Sequence, residues 1–406
     1  METIQEKQPG QLWTTWLLGA CSLLLVAAVV AAPAQVYEAS GQGLKLWWSI
    51  VFPALLPFLM LSEMLIASGF VHGLGVLLTP LMRTCFGLPG RSGWVLALGL
   101  TAGSPAAAEA ARQLANQGEL EERQVRLLTS TAHFCNPMTI LLVIGAGFLH
   151  SPATGYLLLL VHWITGIATG MISVRLFGTK EKTVKQDTQA ATPRGSVPRP
   201  SILQVLYTEI ATARQRDGRS FGRLLGETVS NAVQTLMLTG GFIIFFAVMI
   251  RLLNVYLTPM APMLLWPGLL EQHLGAYAAV RFLGEPHLQA ATISAVLGWG
   301  GVSGWLQIVS MTRPADKGFT FAVTRLLHAG MAFLTALILW APWQQLTSFA
   351  VPAYLELLPV QEEAIEGSLT RTLTLATAPF ALLAVILGML LTASLMIGWR
   401  NHRSSR

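Results

Sequence analysis

Long apolar runs separated by short clusters of charge dominate the chain. Runs of about 20 apolar residues can cross a hydrocarbon core ~30 Å thick. They fall at about 12–32, 46–70, 126–149, 153–177, 228–254, 289–311, 319–341 and 371–398. Two further apolar stretches are broken where a spanning helix should be continuous. Ser92–Ala115 is interrupted by Gly99, Gly103 and Pro105, and Thr258–Gly284 by Pro259, Pro262, Pro267, Gly268 and Gly275. Irregular backbone at membrane depth is tolerated only inside protein or beside a water-filled cavity. The pattern therefore predicts an all-α polytopic membrane protein, with about eight spanning helices plus two re-entrant hairpins at 92–115 and 258–284.

The order of elements repeats. Leu78-Thr79-Pro80 follows the run at 46–70, and Leu257-Thr258-Pro259 follows the run at 228–254; each precedes a broken stretch and then two full runs. Residues 46–177 and 228–341 thus read as two repeats, placed by charge in opposite senses across the bilayer. Inverted repeats with interrupted helices are a sequence signature of secondary transporters, and the interruptions mark the binding site. The remaining segments are a first helix and outer loop at 1–45, a basic linker at 178–227, an acidic outer loop at 342–370, and a last helix with its tail at 371–406.

Charge sets the orientation. Only 11% of the 406 residues are charged against 53% hydrophobic, whereas soluble domains carry roughly 25% charge. Lys and Arg collect on cytoplasmic loops. Lys180, Lys182, Lys185, Arg194, Arg199, Arg214, Arg216, Arg219 and Arg223 place the linker inside, and Arg400, Arg403 and Arg406 place the C-terminus there too. Arg313 and Lys317 lie in an inner loop, and Arg83, Arg91, Arg112, Arg123 and Arg126 flank the first hairpin on the same side. Glu356, Glu362, Glu363 and Glu366, in a stretch without Lys or Arg, suit an outer loop. Both termini are then cytoplasmic.

Within the linker, Thr192–Pro200 is Pro-rich and basic and reads as disordered; Ile202–Ala213 is mildly amphipathic and suits the inner membrane surface. The net charge of +6 comes without basic stripes interleaved with aromatics, so nucleic-acid binding has no support. Cys21, Cys85 and Cys135 are too dispersed for a disulfide framework or a zinc site and read as small apolar packing residues. Ala32-Pro33-Ala34 resembles a signal cleavage site. The apolar run before it exceeds the roughly 7–15 residues of a secretory core, so it reads as an uncleaved first span.

Candidate chemistry lies at the interruptions. Ser104 is placed to cap a helix over Ala106–Leu114, with Pro105 in its first turn. Free N–H groups and the positive dipole end there would suit an anion; the plain alternative is an ordinary capped helix. Asn136-Pro137 breaks the run at 126–149, and Gly298-Trp-Gly-Gly-Val-Ser-Gly304 permits an unwound turn in the run at 289–311. Both could equally be a proline kink and close glycine packing. Glu271 and Gln272 sit in the second hairpin, where an intramembrane carboxylate is a candidate proton carrier, cation ligand or substrate contact. At the outer interface Glu271 would merely be solvated. Glu63, His133, His162, Arg251, Arg325 and His328 also fall in or near runs, the last pair close enough to a cytoplasmic end to snorkel. Gly301-Val-Ser-Gly304 with His328 loosely resembles the Ser–His dyad of rhomboid-type intramembrane proteases. The match is short, and the other histidine and glycine patterns of those enzymes are missing.

The run Ala102-Gly-Ser-Pro-Ala…Gln117-Gly-Glu-Leu…Asn136-Pro-Met resembles the Gate, or nucleoside-recognition, domain, and within it the YlbJ family of sporulation integral membrane proteins. Ser151–Phe177 with His162, and Trp299–Leu334 with Gly300-Gly301-Val-Ser303, Gln307 and Arg325-Leu-Leu-His328, carry it further; together the likeness covers most of 46–341. The resemblance implies a fold similar to concentrative nucleoside transporters, with two inverted repeats each holding a re-entrant hairpin and an unwound helix. It also implies a role in sporulation: carrying dipicolinic acid out of the mother cell across the mother-cell-derived outer forespore membrane. Those nucleoside transporters place a carboxylate-bearing segment at the first hairpin tip, where this chain has Thr101-Ala-Gly-Ser104. Hydroxyls and a helix start fit an anionic dicarboxylate better than a nucleoside.

The expected function is therefore secondary transport of a small organic anion, dipicolinate, by alternating access, with no enzymatic activity, cofactor or metal. Thr101, Gly103, Ser104, Asn136, Glu271, Gly300, Gly301 and Ser303 form the expected substrate site, with a coupling proton or sodium and the lipid bilayer as further partners, and a homo-oligomer as a possible assembly. The alternatives are a nucleoside or other small-metabolite transporter, and a non-transporting scaffold needed for spore assembly.

Overall fold

Every regular element among the described residues is helical, as befits a chain that must satisfy its backbone groups without water. The computed structural model describes residues 9–178, 201–256, 264–312 and 318–355, with the single positions 388, 392 and 396. The last run at 371–398 apart from those three positions, the C-terminal arginines, the acidic cluster 356–366, residues 179–200 of the basic linker, Arg313, Lys317, Pro259 and Pro262 lie outside the described residues.

α1 (Pro9–Ala31) leads into α2 (Pro33–Ala67), which carries a π-helical turn at Trp47–Val51. α3 (Phe70–Cys85) follows. α4 (Gly93–Thr101) and α5 (Ser104–Asn116) form a hairpin, and α6 (Glu122–Thr131) and α7 (Thr139–Phe148) are the halves of a broken helix, α7 being π-helical. After α8 (Pro152–Phe177) come α9 (Ile202–Asp217) and α10 (Phe221–Tyr256). A second hairpin consists of α11 (Leu265–Leu270) and α12 (Gln272–Phe282). The second broken helix is α13 (Pro286–Trp299) and α14 (Gly301–Thr312), and α15 (Phe319–Leu355) follows.

Among the described residues four helices are long and apolar enough to cross a membrane: Pro33–Ala67, Pro152–Phe177, Phe221–Tyr256 and Phe319–Thr347. α4 is apolar on every side, and Val95, Leu96, Ala97, Leu98 and Leu100 are all buried. A helix without a polar face belongs inside protein, and so this arm of the first hairpin is enclosed by its neighbours.

Several elements differ from the sequence expectation. α3 is a helix where none is expected: Pro80, two glycines and two threonines mask it, yet a proline mid-helix is tolerated when neighbours cover the freed carbonyl. α15 runs through Pro342 to Leu355, so 342–355 continues the helix instead of joining the outer loop, with Trp343 donating to the Ala153 carbonyl at 3.0 Å. Cys21 is exposed on α1 and is not a packing residue among the described elements, whereas Cys135 is buried.

The latter half of the linker is ordered. α9 has a capping box between Ser201 and Gln204 and ends at Gly218, and Ile210 lies against Gly69 and Gly73. Beyond it Arg219 pairs with Asp217 at 2.6 Å, Glu227 at 3.0 Å and Glu63 at 3.3 Å, tying the linker to α2 and α10. The hydrogen bonds from Arg219 hold the Asp217 carboxyl below its usual range. At the base of the first hairpin, Arg112 pairs with Glu122 at 2.6 Å, and Arg123 donates to the Phe177 carbonyl at 2.6 Å. The basic flank of the hairpin therefore shares an end of the molecule with the start of the linker.

Close packing depends on small residues. A Cβ on Gly145 would lie 2.8 Å from the Gly155 Cα, so α7 and α8 touch backbone to backbone. Gly145→Leu is expected to destabilise the protein by roughly 1–3 kcal/mol or more, as overpacking does. The check is the thermal unfolding midpoint in detergent, with Gly241→Leu, where a Cβ meets nothing within 4 Å, as a comparison. An unchanged midpoint would contradict this contact.

Candidate functional site

Two helix breaks and two hairpin tips meet at one place. The first break, Ala132–Asn136, leaves the helical ladder because Pro137 has no N–H to give and Asn136 offers a local substitute. Asn136 Oδ1 accepts from Met138 N–H at 2.8 Å, which starts the next helix, and its Nδ2 donates to the Ala102 carbonyl at 3.1 Å. One side chain thus restarts the broken helix and clamps the first hairpin tip to it.

The tip itself requires glycine. Gly103 has φ 98° and ψ 177°, a conformation essentially confined to glycine, and a Cβ there would stand 3.3 Å from the Asn136 nitrogen. Gly103, not Ser104, occupies the position before the first helical residue of α5, and no side chain caps the helix. Ser104 instead donates its N–H to the Phe134 carbonyl at 2.9 Å. This corrects the expected anion cradle: docking the tip on the break consumes the first N–H, and Pro105 has none. Thr101 is also turned away, its hydroxyl donating to the Ala97 carbonyl at 2.7 Å, and it does not line the cavity.

The second hairpin mirrors this contact. Glu271 is extended at the start of α12, where Oε2 accepts from Leu274 N–H at 2.8 Å and Oε1 lies 2.7 Å from His273 Nδ1. It is 3% exposed, so it is not a solvated interface residue. The second break falls at Gly300 and Gly301, with φ 82° and 73°. A Cβ on Gly301 would lie 3.1 Å from the Glu271 Cα, so this residue seats the hairpin tip and does not face the cavity. A Cβ on Gly300 would lie 2.9 Å from His133 Nε2, which brings the two breaks together.

Between them is a cavity of about 100 Å³, enough for several waters or a small ring. Gly103, Ser104, Asn136, Glu271, Gly300 and Ser303 line it; Thr101 and Gly301 do not. His133, His273 and Gln307 join the lining, with Thr235 and Thr239 on α10. The two threonines escaped the sequence reading, although a signal exists. Glu227, Asn231, Thr235 and Thr239 recur every four residues along an apolar helix, a polar stripe on one face.

Behind the first break lies a buried basic cluster. Arg325 and His328 are 1% and 0% exposed, so they do not snorkel to an interface. Arg325 Nη1 donates to the His133 carbonyl at 2.6 Å and Nη2 to His328 Nδ1 at 2.8 Å. His328 Nε2 donates to the His162 carbonyl at 3.1 Å, and His162 Nε2 accepts from Cys135 N–H at 3.0 Å. These bonds fix α8 and α15 to the break. They also commit both nitrogens of His328, which a Ser303–His328 dyad would need as its base.

The model of the Gate family, nucleoside recognition, matches residues 48–151. The chain is 33% identical over 347 residues to the sporulation integral membrane protein YlbJ of Bacillus subtilis (strain 168), covering 81% of this chain and 83% of that protein. No solved structure matches.

Proposed function

The chain belongs to the family of the sporulation integral membrane protein YlbJ, and on that footing we propose that it is a secondary transporter of a small organic anion, dipicolinate, working by alternating access during sporulation. Its membrane is then the mother-cell-derived outer forespore membrane, with both termini cytoplasmic. The observation that carries the reading is the convergence of two hairpin tips and two helix breaks on one cavity. Interrupted elements around a central site are the architecture of alternating access. Each tip seats on the break that follows it in sequence, Gly103 against Asn136 and Glu271 against Gly301. This supports two repeats with re-entrant hairpins, while the inverted placement and the about eight spans rest on the charge and hydropathy pattern.

In this reading Ser104, Ser303 and the backbone around Gly103 and Gly300 contact the substrate, while Asn136 holds their geometry. Glu271 carries a coupling proton; sodium is the other candidate ion. The test is uptake by reconstituted proteoliposomes of dipicolinate, with uridine as comparison. Saturable dipicolinate uptake, at least about tenfold above uridine (1.4 kcal/mol), is expected. Uridine uptake alone would keep the class and replace the substrate, in line with the nucleoside-recognition match. Movement of neither would sink the transport reading.

A further inference from the structure

A buried guanidinium lies just outside the cavity. Arg325 carries a guanidinium with no carboxylate partner among the described residues; its contacts are the His133 carbonyl, His328 Nδ1 and, at 6.0 Å, the ring of Phe321. Its Nε has no hydrogen-bond partner. The neighbouring imidazoles do not share the charge. His328 must accept at Nδ1 and therefore donates from Nε2, which fixes it as the neutral tautomer. His162 accepts at Nε2 from the Cys135 N–H and is neutral for the same reason. Among the described residues, Arg325 thus holds a fixed positive charge, buried and without a carboxylate partner.

An arginine in that condition is expensive unless something answers it. Its position indicates what does. The His133 carbonyl points back to Arg325, while His133, Phe134, Cys135 and Asn136 line the cavity. The guanidinium thus bonds the backbone of a residue that itself lines the cavity. Glu271, the carboxylate in the cavity wall, has both oxygens turned onto His273 and its own helix start, and makes no ion pair with Arg325.

We propose that Arg325 sets the charge selectivity of the cavity: its field, passing through the break at His133–Asn136, makes the cavity a site for small carboxylate anions and disfavours neutral solutes of the same shape. Arg325 is a positioning residue, since it acts through the break without lining the cavity. The inference rests on the transport reading for its substrate, but the potential in the cavity can be measured without any substrate.

The measurement uses Ser104→Cys in the full chain, with Cys21, Cys85 and Cys135 replaced by alanine, in lipid nanodiscs. The thiol is modified with an anionic sulfonatoethyl and a cationic trimethylammonioethyl methanethiosulfonate, each rate being normalised to that of a free thiol. The anionic reagent is expected to be favoured by at least about tenfold. Arg325→Gln should bring the ratio near one, and Arg325→Lys should preserve most of it. A purely structural role would change both rates together and leave the ratio alone; that result overturns the proposal. So does a ratio at or below one with Arg325 in place, or a thiol that neither reagent reaches, because the proposal needs a cavity open to small anions. Dipicolinate uptake by vesicles of the otherwise unaltered protein is scored separately. Absent uptake with an intact, Arg325-dependent ratio sinks the transport reading and leaves the charge assignment standing. Uptake with a ratio indifferent to Arg325→Gln does the reverse.

Discussion

Asn136→Leu should reduce dipicolinate uptake at least about tenfold, equivalent to 1.4 kcal/mol or more, and should lower stability as well. The side chain makes two bonds that serve different ends. Its oxygen starts α7 through Met138 N–H, and its amide holds the first hairpin tip through the Ala102 carbonyl. Leucine leaves both backbone groups without a partner in a part-buried site, at roughly 1–3 kcal/mol each. Asn136→Asp separates the two effects. Aspartate still accepts from Met138 N–H, so α7 keeps its start, but it cannot donate to Ala102. If clamping the tip is the functional role, Asp should be nearly as inactive as Leu while unfolding at a higher temperature. An active Asn136→Asp would mean that the tip does not depend on this bond.

The parts of the fold that were legible in the sequence are those set by one chemical constraint. Apolar length revealed the long helices, and glycines and prolines in apolar stretches marked both hairpins and both breaks, because such residues at depth need a local reason. Six of the eight expected site residues line one cavity for that reason. The errors came where tertiary contacts decide. Thr101 ends α4, and its hydroxyl folds back one turn of helix onto the Ala97 carbonyl. Gly301 lies beside Gly300 in sequence, yet one seats a hairpin and the other faces His133. Arg325 sits six residues into α15, near enough to its start for snorkelling to be reasonable. Its burial follows from the His133 carbonyl of the first break, 192 residues away in the chain, and from His328, whose own partner is the His162 carbonyl on α8. Sequence spacing carries no information about such partners. α3 was lost because Pro80 within an apolar helix gives the same local signal as a turn.

Glu271→Gln tests coupling with the least disturbance to the fold, and its predicted effect is selective. Glutamine keeps an acceptor for Leu274 N–H, so the start of α12 survives, whereas alanine would remove the cap at about 1 kcal/mol and leave His273 Nδ1 unmatched. If Glu271 carries the coupling proton, Glu271→Gln should abolish accumulation driven by a pH gradient, reducing it at least about tenfold. Exchange of internal for external dipicolinate at equal pH should continue, because it needs the cavity but no net proton movement. The hydrogen bond to His273 should also show itself in a double-mutant cycle with His273→Ala, with a coupling of roughly 0.5–3 kcal/mol in unfolding free energy. Loss of accumulation and exchange together would assign Glu271 to the substrate site itself. Accumulation under a pH gradient that survives Glu271→Gln would transfer the coupling to another ion, and repeating the measurement with a sodium gradient alone identifies it. The structural reason to expect proton coupling is the placement of this carboxylate: it is the acidic side chain in the cavity wall, buried at the hairpin tip that seats on the second break. On the alternating-access proposal, a change in its charge would act at the joint between the hairpin tip and the second break.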